Sequence, residues 1–67
     1  MDNYQKIIDE IVGLNPKEAS QIVKDNGLIF RIVNTNGVAS IVTRDYKINR
    51  INVQVDNNEV TKVISIG

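Results

Sequence analysis

The order of two helical patterns followed by three β-branched runs is the feature that most limits how this chain can fold. The first pattern spans residues 2–12, where apolar side chains recur at spacings of three and four and so share one helix face. These side chains are Tyr4, Ile7, Ile8 and Ile11. Asp2 is a suitable N-cap and Gly13 a suitable end, so the pattern predicts an N-terminal helix over 2–12.

The second helical pattern, over residues 15–26, carries clear signals at both ends. Asn15 precedes Pro16, whose fixed φ suits the first helical position, and Glu18 completes an arrangement like a capping box. Gly27 is typical of the left-handed residue that ends a helix. We therefore expect the main helix of the domain over 15–26.

Three strand candidates follow the helices, because Ile and Val dominate the apolar residues and β-branched side chains favour strands. They lie at residues 28–33, 48–55 and 59–66. In the middle candidate, Ile51, Val53 and Val55 alternate with polar residues, which is typical of a strand with one buried face.

The connection between the first two strand candidates, residues 34–47, is unusually long. It opens with turn residues, but the segment after Gly37 does not indicate the return strand of a tight hairpin. An antiparallel pair would leave a long excursion, whereas a parallel pair needs a crossover of about a dozen residues, which this length meets. Both arrangements are compatible with the residues alone. A long loop in a compact domain is usually functional or disordered, and the apolar residues Ile41, Val42 and Tyr46 argue against disorder here.

The composition excludes several classes of protein. Eight basic residues balance eight acidic ones, so a general nucleic-acid binder is not expected. The chain has no His and no Cys, which excludes disulfides and histidine- or cysteine-based sites. We therefore expect a binding protein rather than an enzyme, without cofactor or metal. Neither a membrane span nor a signal-peptide pattern is present, so we expect a cytoplasmic protein with no membrane contact; the alternative is a secreted protein of which this sequence is the mature form.

The most specific pattern is the block VTRDYKINRINV over residues 42–53, which fits V-T-x-[DE]-Y-[KR]-x-[ND]-R-[VIL]-x-[VL]. With this block and the segments 11–13, 18–19 and 66–67, the chain resembles the potato inhibitor I family of serine-protease inhibitors, which includes eglin-like leech and barley proteins. It also resembles a related bacterial peptidase-inhibitor family that typically reads D-Y-R-x-x-R-L-N-V. The resemblance covers residues 11–67 and leaves the N-terminal helix outside it.

With this resemblance, the expected fold is a single α+β domain. The main helix over 15–26 would pack on a small mixed sheet, and strands 28–33 and 48–55 would be parallel. The extended loop over 34–47 would join them, and 59–66 would form a short C-terminal strand.

The resemblance also implies a mechanism in which the loop is offered to a serine protease as a substrate. Arg44 would be the primary specificity residue and Arg44–Asp45 the scissile bond. An arginine suits a protease pocket with a carboxylate at its base. The protease-binding residues would be Val42, Thr43, Arg44, Asp45 and Tyr46. The residues supporting the loop from beneath would be Arg50, Asn52 and Gly67.

We therefore expect a reversible, monomeric inhibitor of a trypsin-like or subtilisin-like protease. The alternative is a non-inhibitory protein-interaction module on the same scaffold, such as a viral or bacterial accessory protein that binds a host enzyme. Plant-type members carry a second Arg where Asn52 stands, while the bacterial relatives carry Asn, so this support is neutral here. Arg31, on the first strand candidate, is expected to lie on a solvated face.

Overall fold

The two helices begin and end at residues that satisfy their main-chain groups. A computed structural model describes residues 2–40, 45 and 47–67, with α1 at Asp2–Ile11 and α2 at Pro16–Asp25. Asn15 is the N-cap of α2, and its Oδ1 accepts a hydrogen bond from the Glu18 main-chain N–H at 2.9 Å. Gly27 follows α2 with a φ of 74°, a left-handed conformation that glycine adopts without steric cost.

Four strands form one mixed sheet in the order β2-β1-β3-β4. At its centre, β1 (Ile29–Thr35) and β3 (Arg50–Asp56) run parallel. At its two edges, β2 (Val38–Ala39) and β4 (Glu59–Ile66) run antiparallel to their neighbours. The prediction of a small α+β domain with a mixed sheet is confirmed.

The prediction that no tight hairpin follows the first strand is wrong. Residues 34–35 belong to β1 and pair with β2. Between the two strands, Asn36 and Gly37 have φ values of 51° and 83°, and positive φ at both central positions is what a type I′ turn requires. Because this turn matches the right-handed twist of paired strands, Asn-Gly closes the hairpin although β2 is short. Residues 34–39 of the loop predicted over 34–47 are therefore strand and turn, and its residues 41–44 and 46 lie outside the described residues.

The core lies between the helices and one face of the sheet. The β3 residues Ile51, Val53 and Val55 are buried in it. They pack with buried apolar side chains of both helices and of β4, namely Ile7, Ile11, Ala19, Val23 and Val60. The alternate β3 residues Arg50 and Asn52 are only 5% and 4% exposed, on the opposite face. The central strand is thus buried on both faces, and one of them is polar.

The turn between the helices covers part of the outer edge of β4. The Gly13 N–H donates to the Val60 oxygen, and the Val60 N–H donates to the Leu14 oxygen, both at 2.8 Å. These contacts attach the helical layer to an edge strand whose main-chain groups would otherwise need other partners.

Among the described residues, no helix combines the length and apolar character needed to cross a bilayer.

Candidate functional site

A row of polar side chains crosses three strands on the sheet face opposite the core. Arg31 of β1 and Ser65 of β4 are the register partners of Asn52 in β3. Arg31 Nε donates to Asn52 Oδ1 at 2.9 Å, and Asn52 Nδ2 donates to Ser65 Oγ at 3.1 Å. The amide of Asn52 therefore uses its acceptor toward β1 and its donors toward β4.

The main-chain oxygen of Gly67 joins this row to Arg50. It accepts hydrogen bonds from Asn52 Nδ2 at 2.8 Å and from Arg50 Nε at 3.1 Å. The Gly67 N–H in turn donates to the Arg50 oxygen at 2.8 Å. Gly67 is thus held against β3 by main-chain and side-chain contacts together.

Arg50 also reaches across the bend of the chain to Asp45, five residues earlier. Its Nη2 donates to the Asp45 main-chain oxygen at 2.8 Å, and its Nη1 lies 3.4 Å from Asp45 Oδ2. We call these contacts between Arg50 and Asp45 the loop clamp. The Arg50 side chain is 6% exposed and that of Asp45 47% exposed, so a buried group holds a residue at the surface. The shorter contact goes to the main chain, which positions the backbone of Asp45.

The partners of Arg50 offset the cost of burying its charge. A buried charge costs several kcal/mol unless it is paired and hydrogen-bonded. Each of the three guanidinium nitrogens contacts an oxygen, with Nε directed to Gly67 and Nη1 and Nη2 directed to Asp45. Since an arginine fork has a fixed planar geometry, these contacts together define the position of Asp45 relative to the sheet.

The chain after the loop clamp is held by contacts from α1 and β1. The Tyr4 hydroxyl donates to the Ile48 main-chain oxygen at 3.2 Å. The Ile29 N–H donates to the Asn49 main-chain oxygen at 2.8 Å. The N-terminal helix therefore contributes to the site as well as to the core, because Tyr4 contacts the segment that leads into β3.

The structure brings together four of the residues predicted for the site. Asp45, Arg50, Asn52 and Gly67 form one hydrogen-bonded group. The other predicted site residues, namely Val42, Thr43, Arg44 and Tyr46, lie outside the described residues.

The prediction that Arg31 lies on a solvated face is wrong. The side chain is half-buried and donates to the buried Asn52. Its neighbours Phe30 and Ile32 pack on the core, so strand alternation alone directs Arg31 to the opposite face. The alternation of side chains along β1 indicates on which face Arg31 lies, but it does not indicate that this face is buried too.

A separate polar group lies at the other end of β3. The pKa of the Asp56 carboxyl is lowered from its ordinary value of 3.8, first because Gln54 donates a hydrogen bond to it and then because Thr61 does. The two contacts measure 2.8 Å and 2.7 Å. These bonds stabilise the ionised carboxylate beside the β3–β4 turn.

In the part of the chain that the structure describes, no three acidic side chains come together as a metal site.

No protein-family model matches the chain, and no curated protein matches it. The site contains a buried cationic donor, Arg50, that contacts the main chain of Asp45. Gly67 accepts from this donor and from Asn52. Such an arrangement can keep a surface segment in one conformation.

Proposed function

We propose that this protein is a substrate-like, reversible inhibitor of a serine protease that presents the Arg44–Asp45 bond. The loop clamp is the observation that supports this proposal most directly. Asp45 is the residue immediately after the proposed scissile bond, and a buried arginine contacts its main-chain oxygen at 2.8 Å. A solvated surface loop would have no need of such a buried donor.

Holding Asp45 has two consequences for a protease. Before cleavage, a loop already fixed in position avoids an ordering cost of about 0.5–1.5 kcal/mol per immobilised side chain on binding. After cleavage, the loop clamp retains the new amino terminus at Asp45 beside the acyl group on the enzyme. The amine then remains in place to re-form the peptide bond, so the protein is cut and released slowly.

Arg44 sets the target class in this proposal. A guanidinium makes a charge-assisted, often bidentate, hydrogen bond with a carboxylate in a specificity pocket. This favours a trypsin-like protease, with a subtilisin-like protease as the second choice. Val42, Thr43 and Tyr46 are the proposed neighbouring contacts, and the inhibitor acts as a monomer.

The test is a titration of trypsin, chymotrypsin and subtilisin with the purified protein, followed by mass spectrometry. We expect tight inhibition of trypsin, with slow cutting confined to the bond between Arg44 and Asp45. Arg44→Ala should abolish trypsin inhibition while changing the unfolding free energy by no more than about 0.5 kcal/mol. Lys47→Ala, which removes an exposed basic side chain from the same segment, is the matched control and should still inhibit. Rapid cutting at many sites would overturn the proposal.

A second candidate function is non-inhibitory binding to another protein. The observation in its favour is that Val38 and Ile48 are 69% and 71% exposed on either side of the loop. Large apolar side chains at the surface are one mark of an interaction site, although two residues make only a small patch. Trypsin, chymotrypsin and subtilisin that all remain active beside an intact protein would favour this candidate over inhibition.

A further inference from the structure

We infer that Arg31 is a positioning residue for the loop clamp, and that it acts through Asn52 and Gly67. Arg31 is joined to Asp45 by consecutive hydrogen bonds that link Arg31 to Asn52, Asn52 to Gly67, Gly67 to Arg50 and Arg50 to Asp45. The structural part of this inference stands on these bonds, and its effect on a protease rests on the proposed function.

The first step is the orientation of the Asn52 amide. An asparagine side chain carries one acceptor and one donor group of nearly the same shape, whereas a guanidinium can only donate. The 2.9 Å contact from Arg31 Nε therefore requires the oxygen of the amide to face β1. The amide nitrogen is then directed to Gly67, where it donates at 2.8 Å.

The second step is the effect of the amide on Gly67. With the opposite orientation, the Asn52 oxygen would face the Gly67 main-chain oxygen, and two acceptors would be opposed. Asn52 is only 4% exposed, so water has little access to relieve this contact. The Gly67 oxygen is also the acceptor for Arg50 Nε, and a displaced Gly67 would remove one of the contacts that fix the guanidinium. Arg31 thus determines how firmly Arg50 is placed.

The test compares variants of Arg31 by the rate at which trypsin cuts the bond between residues 44 and 45, site by site in mass spectrometry. Arg31→Met keeps the apolar stem but removes every donor, and it should raise this rate about tenfold. Arg31→Lys keeps a charged donor for Asn52 and should stay within about threefold of the wild type. Ile32→Val is the control, because it removes one methyl group from the core side of the same strand without touching the hydrogen-bonded row.

Asn52→Asp separates the orientation of the amide from simple pairing with Arg31. An aspartate accepts from Arg31 as well as asparagine does, but it cannot donate to Gly67. We therefore expect faster cutting in this variant despite a stronger contact with Arg31. Hydrogen exchange of the Arg50 Nε–H, measured by NMR on the free protein, should accelerate in both Arg31→Met and Asn52→Asp.

Inhibition of trypsin by the wild type tests the proposed function. The cutting rate of each variant relative to the wild type, together with the exchange rate of the Arg50 Nε–H, tests the role of Arg31. If the wild type is cut without inhibiting, the proposed function fails, but the relative cutting rates still test the role of Arg31. If it is not cut at all, the exchange of Arg50 Nε–H alone decides. The inference is overturned if Arg31→Met leaves the measured rates within about twofold of the wild type. It is also overturned if Ile32→Val raises them equally.

Discussion

Replacing Arg50 by methionine tests the loop clamp directly. Methionine keeps an unbranched apolar stem of similar length but has no donors, so the variant removes the contacts with Asp45 and Gly67 while keeping much of the packing. The Gly67 oxygen retains its 2.8 Å bond from Asn52. The Asp45 side chain is 47% exposed, so water can solvate its carboxylate once the guanidinium is gone. The Asp45 carboxylate and the Gly67 oxygen are therefore not stranded in a dry interior.

The loss of unfolding free energy expected for Arg50→Met follows from these contacts. A hydrogen bond that involves a charged group contributes about 1.5–3 kcal/mol, and the short bond to the Asp45 oxygen belongs to this class. The ion pair, at 3.4 Å to a half-exposed carboxylate, contributes about 0–1 kcal/mol. Removing a buried guanidinium also relieves a desolvation cost, which offsets part of the loss. We expect a net destabilisation of about 2 kcal/mol.

Two assays measure the effect of Arg50→Met. Urea unfolding should show the loss of about 2 kcal/mol. If the same energy holds the loop, trypsin should cut the bond after residue 44 about thirtyfold faster, since 1.4 kcal/mol corresponds to a factor of ten. A variant that unfolds and is cut like the wild type would show that the loop clamp does not hold Asp45 in place.

Asp45→Asn is the matched control for Arg50→Met. It removes the carboxylate charge but keeps the main-chain oxygen that accepts from Arg50 at 2.8 Å. We expect a loss of only about 0–1 kcal/mol and little change in cutting. An effect as large as that of Arg50→Met would mean that the Asp45 carboxylate, and not its main-chain oxygen, positions the loop.

Three further predictions concern the scaffold. Gly37→Ala should lower the unfolding free energy by about 1 kcal/mol in urea, because φ is 83° while no atom lies within 4 Å of the added Cβ; an unchanged midpoint would contradict this. Asn15→Ala should cost about 1 kcal/mol by the same measurement, since the Glu18 N–H loses its acceptor, and Asn15→Asp should restore it. The pKa of Asp56 is lowered, first because Gln54 donates a hydrogen bond to its carboxylate. The ionised carboxylate therefore stabilises the fold at pH values above the ordinary pKa of 3.8, and this stabilisation is lost as pH falls through the lowered pKa. Unfolding measured from about pH 5 to about pH 2 should therefore show a smaller acid loss for Asp56→Asn than for the wild type.

The local elements could be predicted because their signals lie in a few adjacent residues. Asn15 and Pro16 define the start of α2, since the cap and the first helical position depend only on neighbouring main-chain groups. The alternation around Ile51 identifies a strand for the same reason. The turn at Asn36-Gly37 also has a local signal, but a return strand of only two residues is too short to show the alternation that would indicate it.

The candidate site could be predicted only in part. The family resemblance implied that Asp45 lies in the loop and that Arg50 supports it from beneath, and the structure brings the two residues into contact. The role of Arg31 could not be predicted, because it is 21 residues away from Asn52 and meets it only through the parallel pairing of β1 with β3. That pairing depends on a crossover whose direction the residues alone left open.

The residue pattern specifies the helices, the strand content and the apolar face of β3. That the polar face of β3 is buried as well, and that Arg31, Asn52 and Ser65 form one row, follows only from how the strands pair in the folded protein. Hydrophobic periodicity reports which side chains avoid water. The burial of polar side chains depends instead on which donors and acceptors the strand registers bring within hydrogen-bonding distance.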